Sequence, residues 1–379
     1  MRIDIIDGIR GHLLIGMLVA HLSFQPDTTW FRFIHHHFVI GLYDAEFFVP
    51  VAGFLIGVML MGKLKEPRRF WAFLKGRLWT IYKYYILSAI PFLLITVGFF
   101  SQTAGILSAY DTGDLLLNTV FGQRGGMYSD ILPMYFYDFL MLVIFWKIFG
   151  VRPELWLAAS VITYVFSQIY PSHGFFGLSD FVLFNIAAWQ IIFFAAVFAG
   201  HRSDKIPALF RIGYPWQRYA IFACLCVATI VLRSKLFYDP ADVANYSFST
   251  TVRKQLHPLH LLHTTIAISM LVVLLASQDR AIKLISAPIR SYFALPVIRA
   301  IGKYSIQMFV FHVFLMAAFI EINPQLGKIA SAALGLSFLV AFVAAPNLWR
   351  HFTCGKRIEH AGENVSIRPV NSAIAASSN

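Results

Sequence analysis

The chain has few charged residues for its length. Of its 379 residues, 13% are charged and 58% are hydrophobic, whereas a soluble domain usually carries about 25% charged residues. So few charges cannot cover the surface of a water-soluble globule of this size. Lipid must contact most of the surface, which restricts the fold to a helical bundle or a closed barrel. The apolar stretches run for roughly twenty residues without alternation, and this length predicts membrane-spanning helices.

Cysteines and the signatures of soluble enzymes are equally scarce. The three cysteines, Cys224, Cys226 and Cys354, predict neither a disulfide framework nor a metal site. The sequence contains no P-loop, no G-x-S-x-G and no H-E-x-x-H motif, which are patterns of soluble catalysts. The net charge is +12, but the basic residues stand in short loops beside apolar stretches. We therefore interpret them as determinants of topology and as contacts for lipid headgroups, not for nucleic acid.

Ten apolar stretches predict an all-α bundle of about ten transmembrane helices. They are approximately residues 8–24, 38–61, 78–100, 131–149, 154–170, 181–200, 217–233, 259–277, 296–320 and 328–349. Basic residues follow every even-numbered stretch, so the positive-inside rule predicts that both termini are cytoplasmic. The loop 234–258 departs from this pattern because it also carries Lys235, Arg253 and Lys254.

The chain shows no internal repeat and no soluble domain. We expect one transmembrane domain over residues 1–357 and a disordered cytoplasmic tail over residues 358–379. The first apolar stretch begins close to Met1, as in a signal peptide, but acidic residues crowd its start and we expect it to be retained. Residues 114–121 are predicted to form a short interfacial helix.

Arg10 and His21 are the most informative polar residues. A charged group in hydrocarbon costs at least ~2.5 kcal/mol, so such groups persist where they have a role. Eleven residues at about 1.5 Å each place the two about 16 Å apart, and eleven steps of about 100° return to nearly the same helix face. A cation at the inner mouth and an imidazole deeper in the membrane fit a long anionic substrate. The alternatives are a topology charge at Arg10 and a core histidine at His21.

Further polar side chains occur in or beside other predicted helices. Glu46 and Asp44 open the second stretch, where a carboxylate could orient a histidine. The remaining candidates for a cavity or a second catalytic group are Asp130, Asn185, Trp189, Gln190, His260, His263 and His312. For Asn185, Trp189 and Gln190 the alternative is an interhelical hydrogen bond with an aromatic anchor, and for the carboxylates of the second stretch it is a charge at the outer interface. The run His35–His37 and the cluster around His260 could ligate a metal, but we predict no metal site.

These residues resemble a known group of proteins. The stretch Asp7-Gly-Ile-Arg10-Gly followed by His21 resembles the first helix of the membrane-bound acyltransferase-3 superfamily, and residues 46–53 and 302–312 resemble later helices. Residues 43–48, 130–135, 185–190 and 259–263 make the OpgC branch, associated with succinylation of osmoregulated periplasmic glucans, the closest match. Two positions depart from the superfamily pattern. Thr80 replaces a second arginine after Arg77, and Ala52 replaces a serine.

The resemblance implies an O-acyltransferase of the bacterial inner membrane. Its co-substrate would be an acyl-CoA, with succinyl-CoA favoured and acetyl possible, and it would hold no permanently bound cofactor. Arg10 and Arg77 would bind the phosphates of the donor. His21 would act as a general base or acyl carrier, oriented by Glu46 and assisted by His312. A glucan or other glycan would approach from the outer side past Trp189.

A transporter or flippase for an anionic or glycan substrate is the main alternative, because it would also need buried Arg, His and Glu. The sequence lacks the paired repeat halves that would favour it. A lipid-interacting scaffold is a third possibility, if the polar face of the first helix is fully packed.

Overall fold

A computed structural model describes residues 4–62, 67–96, 119–121, 128–150, 152–170, 184–205, 214–236, 252–277 and 279–363. Regular structure within these ranges is helical and includes no strand, which confirms the predicted all-α fold. The α-helices are α1 Asp4–Ser23, α2 His37–Ile40, α3 Asp44–Gly62, α4 Pro67–Thr96, α5 Ile131–Phe149, α6 Pro153–Ile169, α7 Ile186–His201, α8 Pro215–Leu236, α9 Pro258–Ala276, α10 Arg280–Ala294, α11 Pro296–Lys303, α12 Ser305–Ile322 and α13 Lys328–Glu363. Two 3₁₀ segments, Pro26–Ile34 and Asn323–Gln325, connect neighbouring helices.

Several of these helices have the length and composition to cross a membrane. Among the described residues six qualify individually, and the bent pair α10 and α11, at 62° to each other, would make a seventh. The six are Asp4–Ser23, Ile131–Phe149, Trp216–Ser234, Pro258–Ala276, Ser305–Gln325 and Lys328–Leu348. The coarse prediction of a membrane-spanning bundle agrees with this finding. The number ten and the cytoplasmic termini stay predictions.

The ninth predicted span is divided. The chain bends at Leu295, because Pro296 begins a new helix and disfavours helical geometry in the residue before it. A second break at Tyr304 separates α11 from α12. Residues 280–294, predicted as a loop, form α10, which buries Ile282, Ser286 and Phe293.

The C-terminal helix extends past the predicted end of the transmembrane domain. Helix α13 continues to Glu363, six residues beyond the predicted boundary at 357, and residues 364–379 lie outside the described ranges. Of the predicted interfacial helix only residues 119–121 are described.

Glycines allow the closest helix contacts. A Cβ atom on Gly53 would clash with the backbone oxygen of Phe193, and one on Gly57 would clash with that of Val197. The small residues of α3 therefore let its backbone touch α7, as a small-xxx-small spacing such as that of Gly53 and Gly57 allows. Gly8 and Gly11 of α1 approach the backbone around Phe293 and Ile298 in the same way, so α1 lies within the bundle.

Candidate functional site

His21 and His312 form a direct pair at the centre of the candidate site. Their Nδ1 and Nε2 atoms are 3.0 Å apart, and His312 is fully buried. The ring centroids are 5.1 Å apart with an angle of 26° between the planes, which fits two rings joined edge to edge. The structure thus brings together His21 and His312, two of the three predicted catalytic residues, which are 291 positions apart in the sequence.

The hydrogen bonds assign the protons of this pair. The Nδ1 of His312 lies 2.5 Å from the carbonyl oxygen of Phe309, and a carbonyl oxygen can only accept. In neutral His312 the proton therefore sits on Nδ1, and Nε2 accepts from the Nδ1–H of His21. Neutral His21 then has its lone pair on Nε2, the arrangement that a general base or nucleophile requires.

Arg10 and Ser305 form a second connection between the same two helices. The Arg10 guanidinium donates to the Ser305 hydroxyl. Its Nη1 also lies 3.8 Å from the Oδ1 of Asp7. Residues 10 and 21 of α1 thus face residues 305 and 312 of α12. The eleven-residue separation along α1 is about 6 Å longer than the seven-residue separation along α12. The long side chain of Arg10 can bridge this difference. The prediction that Arg10 and His21 share one face of α1 agrees with these contacts.

Further polar groups surround Arg10. Arg77 of α4 is close enough for its charge to act on Arg10, and both act on Tyr135 of α5. The Tyr135 hydroxyl and both carboxyl oxygens of Asp138 are buried with no hydrogen-bond partner among the described residues. Buried polar atoms normally have partners, so this region suits a bound molecule with polar atoms of its own.

Glu46 has a different partner from the one expected. Its carboxylate, which is fully buried, accepts from the Nε of Arg253 at 2.7 Å and lies 3.1 Å from the Nε2 of His260. His21 is instead held by His312. The expectation that Glu46 orients His21 is therefore wrong, because the Glu46 carboxylate is bound to Arg253 and His260 instead.

Arg253 was missed by the sequence reasoning. It lies in a short segment, residues 252–257, whose backbone oxygens accept from side chains of α6 and α7. Its guanidinium carbon lies 4.8 Å from the Tyr43 ring centroid and 5.2 Å from that of Phe184. The sequence gives one signal for it, because Arg253 lies in the loop 234–258, which departs from the distribution of basic residues that the positive-inside rule predicts.

Trp189 does not offer a face to a sugar. It is fully buried, and its Nε1 donates to the backbone oxygens of Arg253 and Lys254 at 3.0 and 3.2 Å. Asn185 caps the start of α7 and donates to Gln255 at 2.6 Å. Gln190 bonds to Ser160 of α6. These three residues anchor the Arg253 segment, so Trp189 is not a stacking surface for a sugar, and the approach of a glycan stays a prediction.

The other predicted residues are distributed around the bundle. Asp130 is buried at the start of α5, two positions after Tyr128, whose ring lies against His21. His263 of α9 is fully buried beside Gly41. Both lie inside the protein, as expected for residues of a polar interior.

The histidine run lies against Asp44. The Nε2 of His35 is 2.9 Å from Asp44 Oδ2, and the Nδ1 of His36 is 3.9 Å from Asp44 Oδ1. Three such groups can hold a metal ion. However, the backbone N–H of His37 donates to the Nδ1 of His35 at 3.1 Å, which leaves the proton of neutral His35 on Nε2, the atom that would have to bind the metal. The arrangement favours a hydrogen bond to Asp44.

Burial governs the ionisation of the next residue. Burial lowers the pKa of His36 to about 4, with Asp44 opposing this effect. His36 is therefore neutral at neutral pH, although a carboxylate is near it.

The structure thus defines a helical membrane protein with a paired-histidine centre between its first helix and a late helix. The chain belongs to the OpgC family, since the family model described as OpgC protein matches residues 2–350. Membership confirms the predicted resemblance and suggests a membrane acyltransferase-like role in glucan modification. Neither the curated proteins nor the solved structures include a match to the chain.

Proposed function

We propose that the protein is a transmembrane O-acyltransferase that moves an acyl group from a cytoplasmic acyl-CoA to a hydroxyl of a periplasmic glucan. Succinyl is the favoured acyl group and acetyl the second candidate, both from the family resemblance. The observation that carries the proposal is the chain of hydrogen bonds from Phe309 through His312 to His21, because it leaves a basic Nε2 on a histidine held in one orientation.

In this proposal His21 acts first as a base. Its Nε2 takes the proton of the acceptor hydroxyl while the oxygen attacks the thioester carbonyl carbon. The tetrahedral intermediate expels the CoA thiolate as the C–S bond breaks, and the thiolate takes the proton back from His21. The products are an ester and CoA–SH. His312 holds the ring and stabilises the transient imidazolium, which replaces the role that we expected of Glu46.

The donor would bind toward the start of α1. Arg10 and Arg77 carry two positive charges that act on each other, and phosphate oxygens are strong acceptors for guanidinium groups. The buried Tyr135 hydroxyl, which lacks a described partner, would supply a further donor. With phosphates at this end, the acyl thioester would reach toward His21 about 16 Å further along the helix.

The remaining parts of the proposal follow from the family and the apolar helices. The protein would reside in the bacterial inner membrane as a multi-pass protein in contact with lipid. It would use acyl-CoA as a co-substrate and would keep no permanently bound cofactor.

A direct assay tests the proposal. Purified protein in detergent, given succinyl-CoA and glucan, should release CoA and form succinylated glucan, both measured by mass spectrometry. His21→Gln should abolish transfer, while His12→Gln, a matched change on the same helix, should retain it. The unfolding temperature of each variant checks that it is folded. Failure of the wild-type protein with both succinyl-CoA and acetyl-CoA would overturn the proposal.

The same assay separates a general base from an acyl carrier. An acyl carrier releases CoA without glucan, up to one equivalent per protein, and leaves an acyl group on His21. A general base releases CoA only when the acceptor is present. Mass analysis of protein incubated with donor alone therefore distinguishes the two.

A further inference from the structure

Tyr128 has a backbone conformation that side-chain-bearing residues rarely adopt. Its φ is 65°, and of the non-glycine residues described only Leu256 shares a positive φ. A tyrosine in this left-handed region is strained, because its Cβ crowds the backbone. Such strain persists only where surrounding contacts enforce it, and it is concentrated at functional positions.

Two contacts that hold Tyr128 come from the end of α1 or just beyond it. The Tyr128 ring lies against the His21 imidazole, with centroids 4.3 Å apart and planes at 33°. The Nε2 of Gln25 donates to the Tyr128 hydroxyl at 3.0 Å. The ring of Tyr128 is thus held by His21 and its hydroxyl by Gln25.

We propose that Tyr128 is a positioning residue for His21, an inference that rests on the proposed function. His312 holds the Nδ1 edge of the imidazole, and Tyr128 covers one of its faces. Together they restrict both the tilt and the rotation of the ring, so that its Nε2 edge is presented to the reacting groups. Gln25 fixes Tyr128 through the hydroxyl.

The aromatic face also acts on charge. When Nε2 of His21 takes the acceptor proton, the imidazole becomes a cation beside the negative face of the Tyr128 ring, and a cation over an aromatic face is stabilised. Neutral His21 gains much less from this contact. The stabilisation therefore belongs to the proton-transfer step and should affect kcat more than the KM of either substrate.

The test compares Tyr128→Leu with Tyr128→Phe. Leucine removes the aromatic face and keeps the strained backbone, and we expect kcat to fall about tenfold, with the KM of donor and acceptor within about twofold of wild type. Phenylalanine keeps the face and should retain kcat within about threefold. Phe24→Leu, which removes a ring 6.1 Å from His21, should have little effect. An unchanged kcat in Tyr128→Leu, or a raised acceptor KM at unchanged kcat, would overturn the proposal.

A second measurement does not require transfer activity. The rate at which diethyl pyrocarbonate modifies His21, followed by mass spectrometry without substrates, should rise in Tyr128→Leu. It should stay close to the wild-type value in Tyr128→Phe, which keeps the ring and loses only the hydrogen bond from Gln25. Equal rates in all three proteins would contradict the positioning role. If His21 is labelled faster in Tyr128→Leu but the wild-type protein shows no acyl transfer, the proposed function is rejected and the positioning role stands.

Discussion

The Nε of Arg253 lies 2.7 Å from the Oε1 of Glu46, although 207 positions separate the two residues in the sequence. Glu46 is fully buried, whereas the side chain of Arg253 keeps 22% of its surface exposed. Arg253 thus neutralises a buried carboxylate whose other close partner is His260. Arg253 is therefore a structural counter-charge for Glu46.

Loss of either member of this pair should destabilise the protein. Removing one partner of a buried ion pair leaves an uncompensated charge, which costs about 3 kcal/mol, so Glu46→Gln and Arg253→Gln should each lower the unfolding temperature clearly. The double variant should lose less than the sum of the two, because neither charge is then left alone. Additive losses in a thermal unfolding series would show that the two side chains act independently.

His312→Gln should impair turnover without weakening donor binding. The substitution replaces the imidazole acceptor that holds Nδ1–H of His21 by an amide that can also donate, so His21 can adopt the other tautomer. We expect kcat to fall about 100-fold, with the KM for acyl-CoA unchanged and some activity left that His21→Gln lacks. Steady-state kinetics of acyl transfer checks this. Wild-type kcat in His312→Gln would mean that the pair has no part in the reaction.

Glycines of the bundle should differ sharply in their tolerance of alanine. Gly57→Ala places a Cβ against the backbone oxygen of Val197, and such overpacking typically costs 1–3 kcal/mol, roughly. Gly76→Ala is the matched control, because a Cβ at Gly76 meets no atom within 4 Å and alanine is the better helix former by about 0.5–1 kcal/mol. The unfolding temperature should fall for the first and hold or rise for the second. The reverse order would exclude close α3–α7 packing.

Acidification should destabilise the protein partly through His36. Its pKa is about 4 in the folded protein and 6.5 in the unfolded chain, so the unfolded state binds more protons between these values and stability falls as pH drops from 6.5 to 4. The groups that act on it are His12, His35, Asp44 and Glu46. This single residue accounts for at most about 3 kcal/mol.

His36→Gln should therefore lose less stability than wild type over that range. Unfolding temperatures of both proteins at pH 7 and pH 4.5 measure the difference. Parallel declines would show that His36 does not contribute.

Sequence alone determined the solvent of this protein and its first functional helix. The shortage of charge required lipid-facing helices, and the period of the α-helix placed Arg10 and His21 on one face, because both depend on local composition and local geometry. The bend before Pro296 also follows from a local rule, whereas the break at Tyr304 lies within a long apolar run that concealed it.

Tertiary structure decided which polar groups meet. Glu46 could have served either His21 or a cation from elsewhere, and only the packing of residues 252–257 on α6 and α7 brings Arg253 to it. The pairing of His21 with His312, the burial of Trp189 and the stacking of Tyr128 likewise depend on residues far apart in the chain. Local sequence patterns cannot encode such contacts, because the contacts depend on which helices pack against one another. A buried polar group pairs with whichever polar group that packing brings near it.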